Sequence, residues 1–150
     1  MRKHLWLCVS LLLSTEVSGI AQDSGGRLRL VGAWVAEDVA ANSSVWSIES
    51  KSDGYQISEI RGGNTISAYV CKADGHDCEI KTSGKKATLS MWFNGPKLVQ
   101  LETQGSSVVK RRFSVLPQED IMEVEVIPIV PDGKAETLRF KRVELSAHSK

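Results

Sequence analysis

The chain has 150 residues with 19 basic and 18 acidic side chains, a formal net charge of +1. That length suits one domain, and the even balance argues against a nucleic-acid binder, which would carry a clustered basic surface. The cysteines and histidines form no group with zinc-ligand spacing, so neither a metal nor another cofactor is expected.

The amino end reads as an export signal. Arg2, Lys3 and His4 make a short basic start, Leu5 to Leu13 is apolar apart from Ser10, and the stretch ends Ser18-Gly19-Ile20-Ala21. This is the charged, apolar, small-residue order of a secretory signal peptide, with cleavage expected after Ala21. The apolar run is shorter than the roughly 20 residues a membrane-spanning helix needs, and no later segment has that apolar length. Cleavage removes Arg2, Lys3 and Glu16, leaving 129 residues with 17 basic and 17 acidic groups and a net charge of 0. The expected destination is the periplasm or the extracellular space.

Cys8 leaves with the signal, while Cys71 and Cys78 remain. In an oxidising compartment such a pair tends to bridge. A ring of that size is worth about 2.5 kcal/mol by the loop-entropy relation.

Residues 22–29 read as a flexible lead-in. The first strand is expected at Leu30 to Val35, and only Ala36 to Ser44 could hold a helical turn. From there turn signals recur at short intervals: Ser52-Asp53-Gly54, Gly62-Gly63-Asn64, Ala73-Asp74-Gly75, Ser83-Gly84, Asn94-Gly95-Pro96, Gly105-Ser106-Ser107, Pro117 to Asp120, and Pro131-Asp132-Gly133. Gly and Asn adopt positive φ cheaply, and Pro presets a turn. The runs between them are rich in Val, Ile, Thr, Tyr, Phe and Trp. The spacing predicts an all-β domain over residues 30–145, an antiparallel up-and-down β-barrel of about 8–10 strands. Residues 146–150 are a tail.

Faces follow from alternation. Leu89, Met91 and Phe93 share one side. Val99, Leu101 and Thr103 share a side too, which would place Trp92 and Leu98 outside. The loop Pro117 to Asp120 pairs Leu116 with Ile121, setting Phe113 opposite Val124, Val115 opposite Met122 and Arg112 opposite Glu125. Pro131-Asp132-Gly133 fits a three-residue hairpin loop with its Gly in the left-handed region. That loop sets Val124 opposite Phe140, Val126 opposite Leu138, Glu125 opposite Arg139 and Glu123 opposite Lys141. Apolar then meets apolar on one face and opposite charges meet on the other, each pair worth about 0.2–1 kcal/mol. Glu123 and Glu125 therefore read as a solvated outer face rather than a catalytic acid pair.

Two arginines break this pattern. Arg111 shares the side of Phe113 and Val115, and Arg142 shares the side of Leu138 and Phe140. A buried guanidinium is costly unless paired. Each needs a carboxylate, an aromatic face, backbone carbonyls or a bound anion.

Gly32-Ala33-Trp34 at the first strand and Arg142 on the last resemble the lipocalin and fatty-acid-binding-protein superfamily, the calycins. There the tryptophan closes one end of the barrel and the arginine lies across its ring, a contact worth about 0.5–2 kcal/mol. The resemblance thus implies barrel closure by Gly32, Trp34 and Arg142. The chain is also similar to small exported bacterial proteins of the lipocalin-like type, through Asp74-Gly75, Ser90 to Val99 and Glu136 to Val143. It departs from the superfamily in several places. The Thr-Asp-Tyr loop and the carboxy-terminal helix of lipocalins are missing. Ala36 to Ser44 is too short for the two-helix lid of fatty-acid-binding proteins. Arg139-Phe140-Lys141 does not match their carboxylate-binding Arg-x-Tyr.

The favoured reading is a ligand-binding barrel, because a closed barrel of this size can enclose one small molecule. Arg111 would anchor a small apolar or anionic ligand among walls from Phe113, Val124 and Phe140, the usual mix in ligand sites. The alternative is a cell-envelope protein-interaction module with no ligand cavity, docking an undefined protein partner through outer Trp92 and Leu98. An enzyme is not expected. Nucleophile elbow, Cys-His pair, His-Glu-x-x-His and phosphate loop are all missing, and the mature histidines are His76 in a turn and His148 in the tail.

Overall fold

The computed structural model describes residues 24–37 and 44–144. The expected signal peptide, residues 38–43 of the 36–44 connection and the expected 146–150 tail lie outside the described residues.

The strands are β1 (Gly32–Ala36), β2 (Ser44–Lys51), β3 (Gly54–Arg61), β4 (Asn64–Cys71), β5 (Asp74–Thr82), β6 (Lys85–Asn94), β7 (Lys97–Gln104), β8 (Ser107–Leu116), β9 (Ile121–Val130) and β10 (Glu136–Val143). Each pairs antiparallel with the next, and β10 returns to β1, so the sheet closes into a ten-stranded up-and-down barrel. Closure leaves no outer edge strand, because every strand has a neighbour on each side. The turn signals sit at the strand junctions. Among the described residues no helix is long and apolar enough to cross a membrane.

A helix, α1 (Ser24–Arg29), occupies the expected flexible lead-in, and β1 starts at Gly32 rather than Leu30. Barrel side chains hold this segment. Trp34 Nε1 donates to the Leu30 carbonyl at 3.0 Å, Arg142 Nη2 donates to the Arg29 carbonyl at 2.6 Å, and Leu30 is 1% exposed. These are tertiary contacts that no local periodicity announces.

The β8–β9 hairpin has the expected register, with Phe113 opposite Val124 and Arg112 opposite Glu125. The β9–β10 hairpin is offset by two residues. Val124 lies opposite Leu138, Met122 opposite Phe140, and Glu123 opposite Arg139, while Glu125 faces Thr137. The connection spans Pro131 to Ala135 rather than three residues. A two-residue offset keeps every side chain on its face, because strand side chains alternate with a period of two.

On β7 the expected faces are inverted. Asn94 pairs with Lys97, which sets Phe93 opposite Leu98 and Met91 opposite Gln100. Leu98 and Gln100 therefore point inward and are 0% exposed, while Val99 and Leu101 lie on the outer side with Trp92. Leu98 is a core residue, not part of an outer docking surface.

The interior is densely filled around Trp34, Ile48, Ile57, Leu89, Met91, Leu98, Phe113, Met122, Val124 and Phe140. One seam interrupts the sheet. β4 and β5 share a single Cα pairing, Ser67 with Thr82, reinforced by a hydrogen bond from Ser83 N to the Ile66 carbonyl at 2.8 Å. The Cys71–Cys78 disulfide joins the two strands at the other end of the seam, with a Cα separation of 6.2 Å.

Candidate functional site

The up-and-down order gives the barrel two unlike ends. One end gathers the start of β1, the end of β10 and the turns after β2, β4, β6 and β8. This end is closed. The Arg142 guanidinium lies 4.1 Å from the Trp34 ring centre. Its Nη1 donates to the Val31 carbonyl at 2.8 Å, and its Nε is 3.5 Å from Asp120. Gly32 is required beneath it: its φ is +146°, and a Cβ there would collide with Arg142 Nη1. Arg27 of α1 stacks 4.6 Å over the Phe93 ring, which meets Tyr55 edge-to-face. These contacts hold the cap over the barrel interior, and a separate recess of about 250 Å³ lies outside it between α1 and the turns at Pro96 and Pro117.

The opposite end gathers the starts of β2, β8 and β10 and the ends of β3 and β9. There a recess of about 170 Å³ is lined by Ser44, Trp46, Glu59, Arg61, Arg111, Val124, Val126, Glu136 and Leu138. Trp46 is backed by Phe113 in an edge-to-face contact, ring centres 5.5 Å apart. Leu138 points inward yet is 42% exposed, because it stands at the opening.

Four charged groups of this end form two pairs. Arg111 Nη1 meets Glu102 Oε2 at 2.6 Å, with both side chains largely buried. Glu59 accepts from Arg61 Nη2 at 2.7 Å and from Ser44 Oγ at 3.2 Å. Deeper in, Gln100 Nε2 donates to the Tyr69 hydroxyl at 3.0 Å. Burial pushes the Tyr69 hydroxyl well above the ordinary tyrosine range, so it keeps its proton.

Sequence reasoning places Arg111 and Arg142 inward, and both point that way. Arg142 rests on an aromatic face and two carbonyls, and Arg111 on a carboxylate, Glu102. Of the expected ligand contacts, Arg111 and Val124 line the recess, whereas Phe113 and Phe140, at 0% and 1% exposure, lie packed behind it. The reading misses Glu102, Gln100 and Tyr69. The turn at Gly95-Pro96 carries the signal for the first two, because pairing Asn94 with Lys97 forces Leu89 opposite Glu102 and Met91 opposite Gln100. Among the described residues no group of three or more His, Cys, Asp or Glu could hold a metal ion.

No family model and no curated protein matches the chain. Solved structures do. The fatty acid transporter REP1-NXSQ superposes with a TM-score of 0.65 at 17% identity, covering 79% of this chain and 99% of its own. A Schistosoma mansoni fatty-acid-binding protein in complex with arachidonic acid gives 0.67 at 14% identity, covering 80% and 100%. A secretory abundant heat soluble protein from Ramazzottius varieornatus gives 0.66 at 12% identity, covering 77% and 96%. The barrel therefore has the lipocalin and fatty-acid-binding-protein fold. The named sources among these neighbours are animals, and the likeness to bacterial proteins gains no support from them.

Proposed function

We propose that the protein is an exported binding barrel that takes a small amphipathic ligand into its open-end recess. The recess carries this reading: apolar walls from Trp46, Val124, Val126 and Leu138 surround a few fixed polar groups, the composition of ligand sites in general. Its volume favours a short chain or a single ring, since larger ligands fill about 300–1,000 Å³. Neighbours that carry or bind fatty acids on the same fold support an apolar ligand. Arg111 and Val124 contact it, Phe113 and Phe140 back the wall, and Gly32, Trp34 and Arg142 hold the far end shut. Export to the periplasm or extracellular space is supported by the residue order of Met1 to Ala21 and by the disulfide, which such compartments preserve.

The test is displacement of a neutral apolar dye, Nile red, by medium-chain amphiphiles. Saturable displacement that is lost when Val126→Trp fills the recess supports the reading. Absence of saturable binding by any such amphiphile contradicts it.

A protein-interaction module without ligand has one observation in its favour. Beneath the recess the barrel is filled by Trp34, Met91, Phe113, Met122 and Phe140. Under that reading no amphiphile competes with the dye.

A further inference from the structure

We infer that the polar end of the ligand is an uncharged hydroxyl or primary amide and not a carboxylate, an assignment that rests on ligand binding in the open-end recess. Three observations lead to it.

The arginines are already matched. Arg111 holds Glu102 at 2.6 Å and Arg61 holds Glu59 at 2.7 Å. Glu136 adds a third carboxylate to the rim. Two guanidinium groups against three carboxylates leave this set of groups one negative charge in excess. A ligand carboxylate at Arg111 would have to share its guanidinium with Glu102, setting two anions against one cation in a largely buried place.

A neutral polar pair next to Arg111 is incompletely used. Gln100 is 0% exposed and is the cross-strand partner of Arg111. Its Nε2 donates to Tyr69 Oη at 3.0 Å and contacts Met91 Sδ at 3.3 Å, while its Oε1 has no partner among the described residues. Turning the amide over lets the Tyr69 hydroxyl donate to Oε1 and leaves the NH₂ group short instead. In either orientation one end of a buried amide lacks a partner, whereas most buried polar side-chain atoms have one.

The pair also adjoins the recess wall through Arg111. The Tyr69 hydroxyl meets Gln100, whose cross-strand partner Arg111 lines the recess. The hydroxyl stays protonated and keeps a hydrogen to give. A ligand hydroxyl both donates and accepts, so it can give to Gln100 Oε1 and take from Tyr69. A primary amide can do the same. A carboxylate only accepts: it would face Oε1 unpaired, and with the amide turned over it could take an NH₂ hydrogen only by adding a buried negative charge near Glu102.

The experiment compares 1-octanol with octanoate at neutral pH by dye displacement and calorimetry. Wild-type protein should bind octanol on the order of tenfold more tightly, the scale of one satisfied buried hydrogen bond. Glu102→Gln releases Arg111 and should strengthen octanoate on the order of tenfold while octanol changes little. Gln100→Leu should weaken octanol by about tenfold and leave octanoate unchanged. Tyr69→Phe removes one oxygen and should weaken octanol in the same direction, which covers the case of a Gln100 variant that fails to fold. Octanoate binding as tightly as octanol to the wild type, or octanol binding indifferent to Gln100→Leu and Tyr69→Phe, overturns the assignment alone. Failure of both probes to bind saturably removes the recess reading and this assignment with it.

Discussion

The Arg142 guanidinium lies 4.1 Å over the Trp34 ring and donates to the carbonyls of Val31 and Arg29 at 2.8 and 2.6 Å. One side chain thus joins β10, β1 and the segment leaving α1. Arg142→Ala should destabilise the barrel by about 2–4 kcal/mol, from the lost stacking and two carbonyls left without their donor. Arg142→Lys should recover only part of this, since an ammonium has no planar fork. Gly32→Ala should also destabilise, through the clash with Arg142 Nη1 and the strained φ. Denaturant midpoints check all three, and ligand affinity should stay unchanged because the recess is at the other end.

The inward pair at the open end gives a different signature. Arg111→Met leaves the Glu102 carboxylate largely buried without its partner at 2.6 Å, and should cost about 2–4 kcal/mol. The double change Arg111→Met with Glu102→Gln should recover most of that loss. A double-mutant cycle on unfolding free energies measures the coupling. Strictly additive losses would show that the two side chains stabilise the barrel independently.

The β4–β5 seam makes the disulfide a clasp. Between Ser67–Thr82 and Cys71–Cys78, the segments Ala68 to Val70 and Glu79 to Lys81 face each other without ladder pairing. Replacing both cysteines by serine should lower stability by about 2.5 kcal/mol. Amide exchange should speed up first along these two segments, where few contacts hold the strands together. Exchange that stays as slow there as in β8 and β9 would show that the seam holds without its clasp.

Tyr69 gives a pH dependence at the alkaline side. Its folded pKa is raised by burial above the ordinary value of 10.0. Above about pH 10 the unfolded chain releases this proton while the native state keeps it, so the native state binds more protons and stability falls as pH rises. Stability is fully retained below the ordinary tyrosine value. The slope from one such group is at most about 1.4 kcal/mol per pH unit. Wild-type protein should therefore lose more stability than Tyr69→Phe between about pH 9.5 and 11. Parallel losses would place the Tyr69 hydroxyl in solvent.

Much of the fold is legible in the sequence, and the gaps have physical causes. Turn chemistry locates the strand junctions, and the loop at Pro117 to Asp120 yields the β8–β9 register from Leu116 back to Val109, where a bulge shifts it by one. The β9–β10 register escapes because complementarity survives a two-residue shift: Glu123 finds Arg139 instead of Lys141, and Val124 finds Leu138 instead of Phe140. The face of β7 escapes for a different reason. Its outer side carries Val99 and Leu101 and its inner side Gln100 and Glu102, so hydrophobic alternation points the wrong way. Gln100 and Glu102 are tolerated inside because Tyr69 and Arg111 meet them there. Those partners lie on β4 and β8, and no short-range pattern links them. Inward Arg111 is the visible half of this arrangement, and Glu102 is the hidden half.

Ligand capture at the open end is the central claim, and amide chemical-shift mapping tests it most directly. Titrating 1-octanol into ¹⁵N-labelled protein should move the resonances of Trp46, Gln100, Arg111, Val124, Val126 and Leu138 along saturable curves, while Gly32, Trp34 and Arg142 stay still. Saturable shifts centred on Trp34 and Arg142, or no saturable shifts anywhere, would contradict the account.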